Sequence, residues 1–353
     1  MTLGRRGMGQ SCQTELWAIT GGSGFLGLHL ARRLLEAGIA VRSLDLEPLD
    51  AELSVDVEGL VGDVRDLAAA QALCRGADVV VHAAAALPIR RAQIRSINVD
   101  GTARLLAATA ETGVRRVVFV SSAVVYGLQE SPPATEETPP APVEPYGSSK
   151  LEAESVCRAF GARGLETVIL RPQAFLGPGR LGLFGILFRW IREGRRIYTL
   201  GSGANRYQLL AVEDLVDAIV LAAEGRCAGE TLNLGAAAFG TVAEDLVALI
   251  EHAGSASRVA RLPAAPARAL LRALALAGLS PLSEWHHRSA DGDCFVDCAK
   301  AEHQLGWRPR FSNVAALARS YDWYLARGLV LEAGRTHRVP WDERALGLVR
   351  RVS

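Results

Sequence analysis

Residues 16–27 read LWAITGGSGFLG. A short apolar run enters a glycine turn, and the turn opens directly into FLGLHLARRLLEAG (25–38), whose apolar residues recur at helical spacing and end on a glycine suited to a C-cap. Glycines 21, 24 and 27 spell T-G-x-x-G-x-x-G, and 22, 24 and 27 also satisfy G-x-G-x-x-G. Both registers make the same physical demand. The chain must turn tightly, bring backbone N–H groups against a pyrophosphate and aim a helix N-terminus at its charge. Glycine turns are common, so the weight of the pattern comes from its place between a strand and a helix.

Outward from that turn, IAVRSLD (39–45), DVVVHAAA (78–85), RVVFVSS (116–122) and ETVILRP (166–172) repeat the strand signal, with helical segments such as NVDGTARLLAATAETG (98–113) between them. This β-α-β repetition predicts an α/β fold, a doubly wound parallel sheet with helices on both faces. Beyond about residue 175 the pattern loosens into GLFGILFRWIREG, YQLLAV and EDLVDAIVLAAEG, read as a smaller C-terminal α/β substrate-binding part. The expected organisation is a disordered leader over 1–14, a dinucleotide-binding domain over 15–175 with segments returning from the C-terminal half, a substrate-binding part over 176–330, and a basic tail over 331–353.

The bulk properties narrow the partners. The chain has 353 residues, 49% of them hydrophobic, enough for a large core. Lys+Arg number 39 and Asp+Glu 38, so neither a nucleic-acid footprint nor an anionic-membrane patch is implied, and a small molecule is the expected ligand. Six cysteines without a C-x-x-C pair suit a reducing, cytoplasmic setting. WHHRSADGDCFVDC (285–298) bunches histidines, acids and cysteines, but no ligand set repeats at zinc spacing; it is read as a turn and short strand, and no metal is expected. The apolar stretch 263–282 carries Arg268, Arg272 and two prolines near its start, which predicts a buried or lid-forming helix and no membrane span.

Three further positions carry chemistry. Asp45 ends the second strand, where a carboxylate can accept both ribose hydroxyls of adenosine and would repel a 2′-phosphate; neither Ser23 nor Leu46 offers a cation, so NAD is expected over NADP. PYGSSK (145–150) holds Tyr146 and Lys150, four apart and so on one helical face. Lys150 is one of only two lysines in the chain. An ammonium beside a phenol favours the phenolate and makes its oxygen a usable proton donor and acceptor, and a compact ammonium, unlike a guanidinium, can also reach cofactor ribose hydroxyls in a confined pocket. Ser122, at the end of RVVFVSS, is placed to hold a reacting oxygen beside Tyr146, while Ser121 is expected to bond locally.

With these residues in view, the chain resembles the extended short-chain dehydrogenase/reductases, the NAD-dependent epimerase and dehydratase family. TGGSGFLG, Asp45, GDVRD (62–66), VVHAAA (80–85), NVDGT (98–102), FVSSAVVYG (119–127), PYGSSK, LRPQAFLGPG (170–179), VEDLVDA (212–218) and NLG (233–235) match its landmarks in order. The resemblance implies a Rossmann-type NAD domain, catalytic Ser122, Tyr146 and Lys150, and cofactor contacts from Gly21, Gly24, Phe25, Leu26, Gly27, Asp45 and Lys150. It also implies that Asp63 and Val64 border the adenine, that Ala83, Ala84 and Ala85 line the cofactor, and that the protein forms a homodimer through helices of the NAD domain.

Departures from the family pattern narrow the activity. Ala123 and Val124 stand where dehydratases carry an Asp-Glu pair, which argues against elimination of water. Ala174 stands where nucleotide-sugar enzymes usually hold an asparagine on the diphosphate, with Gln173 beside it. Arg206 lies one residue out of the usual register, which Tyr207 occupies; Arg180, Arg189 and Arg192 are further candidate ligands. The leading expectation is a nucleotide-sugar epimerase or dehydrogenase. A 3β-hydroxysteroid-dehydrogenase-like enzyme acting on a lipophilic alcohol is the alternative, and an inactive NAD-binding regulator a third.

Overall fold

The computed structural model describes residues 15–86, 92–276, 284–328 and 338. The leader, the first part of the loop after HAAAA, the end of the apolar stretch and all of the tail except Arg338 lie outside the described residues. Seven strands form one parallel sheet: β1 (Leu16–Thr20), β2 (Ala40–Asp45), β3 (Val57–Val61), β4 (Val79–His82), β5 (Arg116–Val120), β6 (Glu166–Pro172) and β10 (Thr231–Leu234). Their order across the sheet is β10-β6-β5-β4-β1-β2-β3, every pairing parallel. The order reverses at β1, between β2 and β4. The crevice outside the carboxyl ends of strands at such a switch point is where open α/β sheets bind ligands.

Helices α1 (Phe25–Glu36), α2 (Leu67–Cys74), α3 (Gly101–Thr112), α4 (Pro145–Gly161) and α6 (Val212–Glu224) cover the two faces. One apolar layer joins α1 and α6 to the sheet; the other joins α2, α3 and α4. Because both faces are covered, β4 and β5 read as continuous apolar runs and are buried throughout. The helix expected over 98–113 begins instead as a π-helical turn, Ser96–Asp100, which turns Asn98 inward to bond the backbone N–H of Ala86 at 2.7 Å.

The C-terminal half adds β7 (Ala174–Leu176), α5 (Gly182–Arg192), β8 (Arg196–Leu200), β9 (Leu209–Ala211), α7 (Val242–His252), β11 (Arg258–Leu262), α8 (Ala264–Leu276), α9 (Glu284–Ser289), α10 (Ala299–Leu305) and α11 (Asn313–Ala326). A separate cluster built on Phe188, Trp190, Leu317 and Tyr321 holds most of it. Two expectations are corrected. Of the buried or lid-forming helix expected in the apolar stretch, the buried alternative fails: Leu270 is 61% exposed and Arg268 pairs with Asp291. FVDC forms no strand; single bridges join Cys294 to Tyr207 and Val296 to Ala134.

Candidate active site

The glycine turn is shaped by what crosses it. Gly21 has φ +75°, and a Cβ there would meet the Ala84 nitrogen at 2.9 Å; a Cβ on Gly27 would fall 2.2 Å from the Gly21 carbonyl oxygen. Backbone cannot step aside for a methyl group, so the chain passes this point only as glycine. Gly24 caps α1 without a side-chain acceptor, leaving the first-turn N–H groups of Phe25, Leu26 and Gly27 directed at the crevice. Asp45 accepts the N–H of Ser23 at 3.0 Å and that of Glu47 at 3.4 Å, which orients its carboxylate beside the turn. The cradle, the uncapped helix and this acid fit a dinucleotide. Ala83 and Ala84 continue from β4 over Gly21, and Ala84 donates to the Thr20 hydroxyl at 3.2 Å. Asp63 is held by Arg65, whose guanidinium keeps that carboxyl below the usual range; Val64 is buried against Gly101.

Helix α4 begins on Pro145, whose missing N–H would have been an orphan in any case. Its inward face carries Gly147, Lys150, Ala153, Glu154 and Cys157 at the spacing of one helical stripe. Lys150 is buried, lies 4.9 Å from the Phe119 ring centroid and donates from Nζ to the Val120 carbonyl at 2.9 Å. Burial pushes its ammonium down to about 8. Tyr146 is half-buried one turn earlier; desolvation pushes its phenol up to about 12, Arg180 pulls it back and Glu144 adds to the rise. The Arg180 charge is what pulls the phenol back, and the Lys150 ammonium bonds the end of β5. Ser122 follows that strand and accepts the Val124 N–H at 3.3 Å. Ser121 does not bond locally: its hydroxyl donates to Glu154 at 2.6 Å.

The remaining expected ligands fall into two groups. Arg180 is in electrostatic reach of Tyr146 and Tyr207; burial lowers Arg180 to about 10 and raises Tyr207. Gln173 is buried next to Cys294. Ala174 opens β7. Arg206 is exposed and sits between the rings of Phe239 and Phe295, at 4.6 and 4.7 Å. A cavity of about 320 Å³ beyond Tyr207 is lined by Gly127, Gln129, Arg268, Trp285, Arg288 and Cys294. Arg192 is exposed over the Tyr324 ring. Among the described residues no three His, Cys, Asp or Glu side chains converge as a metal would require, and no helix is long and apolar enough to cross a membrane.

Several residues of the site escaped the sequence reading. Trp285 donates its backbone N–H to Glu144 at 3.3 Å and its ring bonds Tyr207, tying α9 to the start of α4. His82 accepts from Thr20 at 2.7 Å and donates to Thr102 at 2.8 Å, since the Thr102 hydroxyl is already given to the Asn98 carbonyl. Burial holds this histidine down to about 3, neutral. Arg338 reaches the glycine turn from the tail, donating to the Ser23 carbonyl at 3.1 Å and to Asp50 at 2.5 Å. VVHAAA carries His82 inside a motif read only for its alanines; nothing local could have flagged Trp285 or Arg338.

The model of the NAD dependent epimerase/dehydratase family matches residues 17–235. The chain belongs to that family. Among its relatives is the "Uncharacterized protein y4nG" of Sinorhizobium fredii, 36% identical over 97% of this chain and 87% of that protein. The 3beta-hydroxysteroid-dehydrogenase/decarboxylase isoform 1 of Arabidopsis thaliana is 32% identical over 62% of this chain and 54% of its own length. Among solved structures, MoeE5 in complex with UDP-glucose and NAD is similar with a TM-score of 0.73 and 27% identity, covering 89% of this chain and all of MoeE5; its complex with UDP-glucuronic acid and NAD matches with a TM-score of 0.71. The epimerase/dehydratase family is NAD-dependent, and the glycine turn, α1 and Asp45 of this member have the form that cofactor needs.

Proposed function

We propose that the protein is an NAD-dependent epimerase or dehydrogenase that oxidises a secondary hydroxyl of a nucleotide-linked sugar, with Ser122, Tyr146 and Lys150 as its catalytic residues. The observation that carries this reading is the meeting of α4 with the end of β5: Lys150 anchored on the Val120 carbonyl, Tyr146 one turn before it, and Ser122 two residues beyond Val120. NAD, when bound, supplies the hydride acceptor. Tyr146, in its ionised form, takes the hydroxyl proton, Ser122 holds the substrate oxygen, and the Lys150 ammonium bonds the cofactor ribose. The cavity beside Trp285 has the size of a small-molecule site, and its lining holds Arg268 and Arg288 together with Asp291 and Asp293. The likeness to MoeE5, crystallised with UDP-sugars and NAD, supports a nucleotide sugar. A homodimer through helices of the NAD domain belongs to the same reading.

A second reading is a 3β-hydroxysteroid-type dehydrogenase. The Arabidopsis relative supports it, as do Ala174 and the apolar exposure of α8 at Leu270. The test is turnover of NAD with two panels, UDP-, GDP- and dTDP-sugars and hydrophobic secondary alcohols including 3β-hydroxysteroids, following reduced cofactor by absorbance and resolving sugar isomers. A new sugar isomer without net reduced cofactor makes the protein an epimerase, and reduced cofactor from a sugar makes it a dehydrogenase. Reduced cofactor from the lipophilic panel establishes the second reading. Silence of both panels with NAD bound overturns both.

A further inference from the structure

Ser23 joins three parts of the chain. Its N–H donates to the Asp45 carboxylate at 3.0 Å, its hydroxyl donates to the Glu47 carbonyl at 2.8 Å, and its own carbonyl accepts from Arg338 at 3.1 Å, across 315 positions. The other arm of the same guanidinium donates to Asp50 at 2.5 Å. Asp50 is itself anchored, because its carbonyl accepts the N–H groups of Leu53 and Ser54 at 3.0 Å each and Leu53 is buried in the core. These contacts close a ring. It runs from Ser23 to Asp45 and Glu47, along the chain to Asp50, and back to Ser23 through Arg338.

The place of the ring gives it a role. Ser23 lies in the glycine turn, and Asp45 is the acid whose position suits the ribose hydroxyls of adenosine. Between Asp45 and Asp50, residues Leu46, Glu47 and Pro48 are exposed, and among the described residues only Glu47 of the three is tied by hydrogen bonds. Such exposed segments open easily, and ordering one when a ligand arrives weakens binding. A planar guanidinium that holds the Ser23 carbonyl and the Asp50 carboxylate at once removes part of that freedom beforehand. Arg338 and Asp50 are 37% and 40% exposed, so their ion pair adds little to the stability of the whole fold. Its effect belongs to the adenosine end of the crevice.

We propose that Arg338 is a positioning residue for the cofactor: it braces Ser23 against Asp50, holds the 46–50 segment to the glycine turn, and so tightens binding of the adenosine half of NAD. The test is calorimetric titration of the cofactor-free, full-length protein with NAD and with ADP-ribose, for wild type, Arg338→Ala, Arg338→Lys, Asp50→Asn and the Arg338→Ala/Asp50→Asn double variant, with thermal melts alongside. Arg338→Ala should raise Kd about three- to tenfold, by the same factor for both ligands, and Arg338→Lys should recover part of the loss. The double variant should lose no more than Arg338→Ala alone, since both changes remove one bridge. Lys300→Ala breaks an ion pair of similar exposure beside β10, at the opposite edge of the sheet from β3, and should leave both affinities unchanged. An unchanged Kd in Arg338→Ala, or a loss for NAD that ADP-ribose does not share, overturns the proposal. Tighter binding also overturns it, by making Arg338 a competitor for the cradle. A cofactor-free melt lowered by more than about 4 °C, or failure of the Arg338 variants to fold, overturns it by making Arg338 a general tie of the structure.

Discussion

Arg171 grips Glu154 with two hydrogen bonds, Nε to Oε1 at 2.9 Å and Nη2 to Oε2 at 2.6 Å, one helical turn beyond Lys150. The Ser121 hydroxyl donates to the same carboxylate, and Arg171 passes a third bond to the Tyr126 hydroxyl, which in turn donates to Asn233 at 2.7 Å. The network clamps α4 to β5, β6 and β10. The depth and rotation of α4, and with them the aim of Tyr146 and Lys150, are set by this buried pair.

Glu154→Ala should therefore cost about 3–5 kcal/mol, since it leaves the Arg171 guanidinium buried and uncompensated. Chemical denaturation compared with the exposed change Glu152→Ala measures this. A loss within about 0.5 kcal/mol would mean that the pair does not hold α4.

Lys150→Arg should leave folding intact and reduce turnover by at least about a hundredfold, because a planar guanidinium cannot replace a compact ammonium on the Val120 carbonyl and on ribose hydroxyls at once. Steady-state kinetics with a melt as control decides it. Near-normal turnover would remove Lys150 from the catalytic residues.

His82 makes stability sensitive to acid. Its folded value, about 3, lies below the ordinary 6.5, so between those values the unfolded chain binds a proton that the folded chain refuses. Stability is then fully present above 6.5 and drains as pH falls through 6.5 towards 3, by about 2 kcal/mol at pH 5. In His82→Gln the drop in stability between pH 7 and pH 5 should shrink by that amount; an unchanged slope would refute the assignment.

Gly27→Ala should lower stability by at least about 2 kcal/mol and weaken NAD binding together, since the new methyl would meet the Gly21 carbonyl and the Gly22 Cα. Gly76→Ala, with no neighbour within 4 Å, isolates the cost of a positive φ alone. Calorimetric titration with NAD and thermal melts of both variants separate the two effects.

Much of the architecture was legible because it is local. The glycine turn needs only short-range geometry, and strand and helix periods can be counted along the chain; the parallel sheet and the placing of Asp45, Ser122, Tyr146 and Lys150 at strand ends and on one helix follow from those counts. Ser121 was misjudged because its acceptor, Glu154, lies 33 residues away on the opposite element. FVDC shows strand alternation, yet its backbone finds partners only at single residues.

The sequence by itself determined the fold class, the cofactor cradle and the residues of the Tyr-x-x-x-Lys helix, since each is written in spacings of a few residues. The tertiary structure alone decided which charges meet. It drew Lys150 to the end of β5, stacked Arg180 on Phe25 and Phe175, folded Trp285 onto Glu144 and brought Arg338 to Ser23 across 315 positions. Electrostatic neighbours act through space with a strength set by burial, and neither distance nor burial is encoded in the order of residues along the chain.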